Sequence, residues 1–217
     1  MPHFDIVRSK EPIRLFKSDF LEFFTHVHPV VVLAIWVPVV AFLIVRAVLQ
    51  HQQRAFPLYV PAGLVVGLFV WTLAEYTLHR FVFHFAPRTP WQERLSFIFH
   101  GVHHAQPMSK TRLVMPPALS IPLSLVFYAG FWFVIGLVLG VRHWLGPVFA
   151  GTLTGYIVYD MLHYATHHFR VRWGWFRYIR RYHLRHHTQT PDQRFGVSSP
   201  LWDIVFGTKP QEQDVSG

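Results

Sequence analysis

Residues 58–84 read LYVPAGLVVGLFVWTLAEYTLHRFVFH. The stretch is apolar for about the 20 residues that a helix needs to cross a bilayer, yet Glu75, His79, Arg80 and His84 break its last third. Ionisable groups in such a helix face a polar interior or a cavity. A second stretch follows the same plan: from about Leu145 to His168 it is apolar at first and turns polar at Asp160, His163 and His167. Working outward, spans are expected over about 29–49, 58–85, 117–139 and 145–168. Pro38 kinks the first, which a membrane bundle tolerates. The short link Val141-Arg142-His143-Trp144 makes the third and fourth an antiparallel hairpin. The expected fold is all-α and integral to the membrane, with four transmembrane helices and a helical cap formed by 86–116 and 169–217. A short helix from Trp91 to His104 belongs to that cap. Residues 1–28 form an N-terminal segment, and 29–217 a single membrane domain. The N-terminal segment sets Phe16, Phe20, Phe23 and Phe24 among Arg14, Lys17, Asp19 and Glu22, with Ser18 or Asp19 as a cap. That pattern fits an interfacial helix, the alternative being a solvated leader.

The chain has 217 residues, 52% of them hydrophobic, a net charge of +9 and no Cys. Disulfides, thiolate metal sites and Cys nucleophiles are therefore excluded. The basic residues do not line one amphipathic face, so nucleic acid is not the expected partner. They gather between and after the apolar runs. Four Lys or Arg lie in the N-terminal segment, five at the end of the second span and in the segment after it, and eight in the C-terminal segment. Together these are seventeen of twenty, leaving Arg46, Arg54 and Arg142 on the other side. The positive-inside rule makes the side holding both termini cytoplasmic. No cleavable signal peptide is expected, because the first apolar run begins only near Pro29.

Ten of the sixteen histidines fall into four boxes on that same side: His79 and His84; His100, His103 and His104; His163 and His167; His183, His186 and His187. Helical residues three and four apart share a face, so three of the boxes can each present imidazoles in one direction. Imidazole is the commonest protein ligand for a transition metal. Ten ligands exceed what one six-coordinate ion uses, so a dinuclear site is expected. Nitrogen-rich ligation suits iron, zinc or copper. His79 and His84 are five apart, and a regular helix would separate them by about 140°. This box needs a π-helical turn or a helix end. Glu75 and Asp160 can share faces with the boxes that follow them. Each either supports an imidazole from behind or is a bundle-interior carboxylate paired with an Arg. His3, His26, His28, His51 and His143 stand alone at interfaces, and His168 points away from His167, so none of these is expected to bind metal.

The chain resembles the integral-membrane fatty acid hydroxylase and sterol desaturase superfamily, and within it the fatty acid 2-hydroxylase branch. The resemblance rests on Pro12 to Glu22, on Glu75-Tyr76-Thr77-Leu78-His79-Arg80-Phe81, and on His100-Gly101-Val102-His103-His104. It continues through Arg112-Leu113-Val114-Met115-Pro116-Pro117, Tyr159 to Tyr164, Tyr182 to His187, Phe195-Gly196-Val197 and Trp202 to Thr208. The strings around the boxes are more specific than the boxes, which recur in sterol oxidases and carotenoid hydroxylases. The resemblance implies a membrane bundle with a cytosolic cap in which the ten histidines bind two Fe ions, with zinc in some purified members. It also implies O2 as co-substrate and hydroxylation at C2 of a fatty acyl or ceramide chain drawn from the bilayer; by position alone, the polar-ended spans two and four are the expected channel walls. The length leaves no room for the cytochrome b5 domain of many eukaryotic members, so a separate electron donor is expected, a ferredoxin or a cytochrome b5-like protein with its reductase. The expected location is a bacterial inner membrane, or the endoplasmic reticulum in a eukaryote. Oxidation or desaturation of a sterol, carotenoid or other lipid is the alternative, and a haem carrier or metal transporter is a further one.

Overall fold

The structure, a computed structural model, describes residues 6–7, 11–50 and 58–211. His3, Arg8, Lys10, His51 and Arg54 lie outside them. Among the described residues all regular structure is helical. Helix α1 (Asp19–Phe23) is little more than a turn, and the Ser18 hydroxyl caps it by accepting from the Leu21 N–H. Helix α2 (Pro29–Leu49) starts with proline at its first position, where the missing N–H costs nothing. The ring of His28 accepts from the Val30 N–H at 3.3 Å, and Pro38 is carried inside the helix. Helix α3 (Tyr59–Thr77) runs on into a π-helical segment, Leu78–Phe83. A broken rod follows: α4 (Pro90–Ser96), a π-helical segment Phe97–Gly101, and α5 (Val102–Ala105). Helix α6 (Pro117–Phe131) also becomes π-helical, over Trp132–Val138, before a 3₁₀ turn leads into α7 (Leu145–His168). Helices α8 (Gly174–Thr188) and α9 (Leu201–Val205) complete the chain.

Three of these helices are long and apolar enough to cross a membrane: Pro29–Leu49, Tyr59–Phe83 and Pro117–Val138. They carry apolar side chains outward, among them Phe42, Val65, Phe69, Leu125, Val126 and Phe133. Water would penalise such a surface and lipid does not. Helix α7, with 24 residues, is the inner member. It packs on both α2 and α3 and buries Val148, Phe149, Leu153, Tyr156 and Tyr159.

Helices α3 and α7 touch at backbone distance because glycines face each other. A Cβ on Gly67 would stand 2.0 Å from the Val148 carbonyl oxygen, and one on Gly151 would stand 2.2 Å from that of Leu64. Above this contact the Trp71 ring packs on Tyr156 and Tyr159, with centroids 5.4 and 5.8 Å apart. The polar ends of α3 and α7 are thereby held side by side at one end of the bundle. That end carries the histidines.

Candidate metal centre

The step from His79 to His84 shows how local structure serves the site. The backbone N–H of His84 donates to the His79 carbonyl at 3.0 Å, an i to i+5 bond that closes the π-helical turn. The wider turn brings the two rings to a centroid distance of 4.8 Å, which a regular α-helix would forbid. The geometric demand of the five-residue spacing is met in this way. His100 lies in the second π-helical segment, with His103 and His104 on α5. His163 and His167 are one turn apart on α7, and His183, His186 and His187 lie on α8.

The ten rings sort into two groups. His79, His84, His100, His104 and His186 form one; His103, His163, His167, His183 and His187 form the other. Within each group the ligating atoms lie within 4.8 Å of one another, and only His187 is other than fully buried. Each HxxHH box is divided. His100 and His104 join the first group while His103 turns to the second; His183 and His187 join the second while His186 turns to the first. Adjacent residues on a helix point about 100° apart, so an HH pair can serve two neighbouring centres. The groups abut, with the His104 and His187 rings 4.2 Å apart between centroids.

Nitrogen faces nitrogen inside the groups. The Nε2 atoms of His79 and His100 are 3.0 Å apart, those of His84 and His186 3.1 Å, those of His103 and His163 2.8 Å, and those of His167 and His183 2.9 Å. His79 Nδ1 donates to the Phe195 carbonyl, and His186 Nδ1 donates to that of Gln193 at 2.7 Å. A carbonyl can only accept, so these two rings carry their proton on Nδ1 and turn bare Nε2 lone pairs inward. Burial, and then neighbouring imidazoles, push the His104 and His186 rings down to about 3, with His100, His103, His183 and His187 also held well below the ordinary histidine value. Buried, neutral, convergent nitrogen donors without a thiolate suit a transition metal such as iron, zinc or copper. The residues present therefore fit two such ions, five imidazoles to each.

The two carboxylates act elsewhere. Glu75 accepts from the N–H groups of Val197 and Ser198, each at 2.7 Å, and from the Ser198 hydroxyl. Asp160 accepts from the Met115 N–H at 3.2–3.3 Å. Among the described residues neither bonds an imidazole or an Arg; each ties a distant segment to the bundle. The groups behind His79 and His186 are backbone carbonyls, which no side-chain pattern announces. Asp203, which accepts from the Phe195 and Gly196 N–H groups at 2.8 Å, gave one faint signal, an acid within the apolar run Leu201-Trp202-Asp203-Ile204-Val205.

A cavity of about 350 Å³ opens onto the histidines. Phe83, His100, His103 and His163 line it on the histidine side, with Tyr159 and Asp160. Thus both helices expected as channel walls contribute. The opposite wall was not foreseen: it comes from the N-terminal strap, through Leu15, Phe16, Leu21 and Phe24, and from residues 112–119. Glu22 fastens the strap. Its Oε2 accepts from the Leu15 and Phe16 N–H groups at 2.9 and 2.8 Å, and its Oε1 accepts from Arg112. Arg112 also reaches His26 Nε2 at 2.9 Å. Burial opposes ionisation of Glu22, but the two backbone donors and Arg112 outweigh it and hold the carboxyl below its ordinary value.

A family model described as fatty acid hydroxylase matches residues 64–208. The dihydroceramide fatty acyl 2-hydroxylase FAH1 of Arabidopsis thaliana is 39% identical over 204 residues, covering 94% of this chain and 83% of the relative. The ceramide very long chain fatty acid hydroxylase SCS7 of Saccharomyces cerevisiae is 40% identical over 194 residues, 88% of this chain and 48% of that longer protein. A solved structure described as full-length scs7p with only the hydroxylase domain visible superimposes with a TM-score of 0.79 at 39% identity, over 89% of this chain and 70% of that one.

Proposed function

The chain belongs to the fatty acid hydroxylase family, and we propose that it hydroxylates C2 of a lipid acyl chain, as a free fatty acid or within a ceramide, using O2 and two electrons. The observation that carries this reading is the junction of the apolar cavity with two buried five-imidazole groups. We assign the ten histidines as ligands of two iron ions, which when bound supply the activation of O2 for insertion into a C–H bond. The chain's own residues do the rest. Leu15, Phe16, Leu21, Phe24, Phe83 and Leu119 line the cavity with apolar surface, which takes up a hydrocarbon and excludes water. A volume of about 350 Å³ is within the usual 300–1,000 Å³ for a small-molecule site. Of the polar groups that line it, Arg112, Tyr159 and Asp160 are the candidates for holding the acyl headgroup, and their depth sets which carbon meets the imidazoles.

The same reading places α7 as a fourth span and puts the cap and both termini on the cytoplasmic side of a bacterial inner membrane, or of the endoplasmic reticulum in a eukaryote. Support comes from the seventeen Lys and Arg that share the histidine side. Electrons come from a separate carrier, a ferredoxin or a cytochrome b5-like protein. A hollow of about 230 Å³, lined by Arg181, Arg185, Arg194 and Lys209 and by no carboxylate among the described residues, adjoins the helix that carries His186. It is complementary to an acidic donor.

The test is expression with a competent reductase, followed by mass spectrometry of the lipids. Chains hydroxylated at C2 are expected; an oxidised sterol or carotenoid in their place, or no oxidised lipid, overturns the reading. Metal analysis is expected to give two ions per chain, fewer in His104→Ala and His187→Ala. Full metal in both variants removes the ligand assignment.

A further inference from the structure

The two histidine groups are alike in number and unlike in what stands behind them. In the first, His79 and His186 each rest Nδ1–H on a backbone carbonyl. In the second, none of the five has such a carbonyl: the Nδ1 atoms of His103, His163, His167, His183 and His187 are buried without a protein hydrogen bond. So are His84 Nδ1 and His104 Nε2 in the first, and the difference therefore rests on His79 and His186. The two carbonyls come from one turn, and that turn is fixed from outside the site. Four consecutive N–H groups, those of Phe195, Gly196, Val197 and Ser198, end on the carboxylates of Asp203 and Glu75. Gly196 admits no side chain, since a Cβ there would stand 2.0 Å from the Ser199 carbonyl oxygen. Arg194 holds a left-handed backbone at φ 60°, with its N–H on the Thr208 carbonyl at 3.1 Å.

One peptide group links Asp203 to His79. The N–H of Gly196 donates to Asp203 Oδ2 at 2.8 Å, and the carbonyl of the same trans peptide, that of Phe195, accepts from His79 Nδ1. In a trans peptide these two groups point in opposite directions, so carboxylate, peptide and imidazole form a line. A carboxylate on the N–H polarises the peptide and strengthens its oxygen as an acceptor. Asp203 is 0% exposed, which keeps solvent from screening that charge.

We propose that Asp203 is a positioning residue acting through the Phe195–Gly196 peptide on His79, and that it makes the two metal positions unequal. The position served by His79, His84, His100, His104 and His186 holds its ion more tightly. The arrangement is a carboxylate–histidine–metal triad with a peptide inserted between the first two members. It rests on the reading that both groups bind metal.

The test is removal of zinc from the fully loaded protein by a chelator, followed by metal analysis, with no need for turnover. Wild-type protein is expected to lose its two ions in separate steps. His163→Ala, which damages the second group, is expected to keep the tighter ion, and His84→Ala to lose it. Asp203→Asn keeps the shape and removes the charge, and is expected to weaken the tighter ion 10–100-fold, the usual effect of altering a group behind a ligand, while the weaker ion is unmoved. In the cobalt-substituted protein the downfield Nδ1–H resonance of His79 is expected to shift in Asp203→Asn, and that of His186 to stay. If Asp203→Asn does not fold, the wild-type and His163→Ala release curves decide the inequality, and the cobalt-substituted wild type decides the Asp203 link. There the Nδ1–H resonance of His79 is expected further downfield than that of His186, and the reverse order overturns the link. Simultaneous loss of both wild-type ions, or equal weakening of both by Asp203→Asn, overturns the inference and leaves the function standing. Fewer than two ions in loaded wild type overturns the metal assignment itself.

Discussion

The two walls of the acyl cavity are built on different principles. On one side α3 and α7 meet through glycine, with backbone against backbone and the Thr152 hydroxyl donating to the Gly67 carbonyl at 3.2 Å. Aromatic rings fill the space above. Nothing there can move without overlap, and interiors packed this closely transmit strain. On the other side the strap buries Leu15 and Val27 but leaves Phe20 and Phe23 71% and 74% exposed. It is held by polar contacts: Glu22 and Arg112, Gln106 to the Ile13 N–H and Glu11 carbonyl, and Arg94 to the Leu15 carbonyl. Local opening free energy follows such differences in burial. The wall that carries imidazoles is rigid, and the wall that meets the substrate alone is the one able to yield.

The largest effect is expected where the rigid wall is forced. Gly67→Leu or Gly151→Leu sets a side chain into the backbone of the facing helix, 2.0–2.2 Å from a carbonyl oxygen at its first atom. No relaxation short of separating α3 from α7 removes that overlap. The expected outcome is loss of monodisperse protein after detergent extraction, together with all bound metal. Gly130, on α6, has nothing within 4 Å of its Cβ position. Gly130→Ala is expected to behave as wild type, or to gain up to about 1 kcal/mol from helix propensity. A folded Gly151→Leu protein with full metal would break the comparison.

On the yielding wall the expected losses are local. Arg112→Ala leaves Glu22 without its cation at a site where the Arg112 side chain is 2% exposed. Removing one member of a buried pair costs about 3 kcal/mol, or roughly a 100-fold rise in the open fraction of the strap. Hydrogen exchange is expected to show this between residues 15 and 27, with α3 and α7 unchanged and metal content intact. Acid should do the same more gently. The folded-state pKa of Glu22 lies below its ordinary 4.5, so its contribution is complete above that value and is lost as pH falls through the folded one. A nitroxide at position 20 is expected to become more mobile as pH drops below about 4.5, and Glu22→Gln to be mobile already at neutral pH. Mobility independent of pH in wild type would mean that Glu22 does not fasten the strap.

The rigid wall was the legible one. The bounds of Pro29–Leu49 and Leu145–His168 follow from apolar runs and their polar ends, and the spacing of His79 and His84 asks for a π-helical turn or a helix end, of which the structure has the first. Those are facts of single elements. The π-helical turns at Phe97–Gly101 and Trp132–Val138 had no such marker, because no pair of functional residues there is out of step. The division of each HxxHH box between two groups depends on where neighbouring helices stand. The strap could be read as amphipathic, but its seat on residues 111–112 joins positions some 90 apart in the chain. Glu75 stands out in the sequence as an acid in an apolar span, yet its partners lie at Val197 and Ser198, 122–123 residues away. Pattern reports which face of a helix is polar and is silent on what that face meets.

The cationic hollow belongs to neither wall, which makes it a probe of their independence and the smallest effect expected. Arg181, Arg185 and Lys209 are exposed, so Arg181→Glu with Lys209→Glu should leave stability within about 0.5 kcal/mol. Charges at a docking surface act mainly through encounter rate, and at 0.15 M ionic strength they are screened beyond about 8 Å. The paired variant is therefore expected to raise the KM for an acidic protein donor several-fold at low salt, with the gap closing as salt rises. Turnover at saturating donor, metal content and strap mobility should not change. Strap mobility that follows the hollow's charge would show that the yielding wall answers to the cap's outer face. An unchanged KM would place the donor elsewhere on the cap. Both results concern a surface of long, solvated side chains, and there a charge acts at a distance without shaping the cavity.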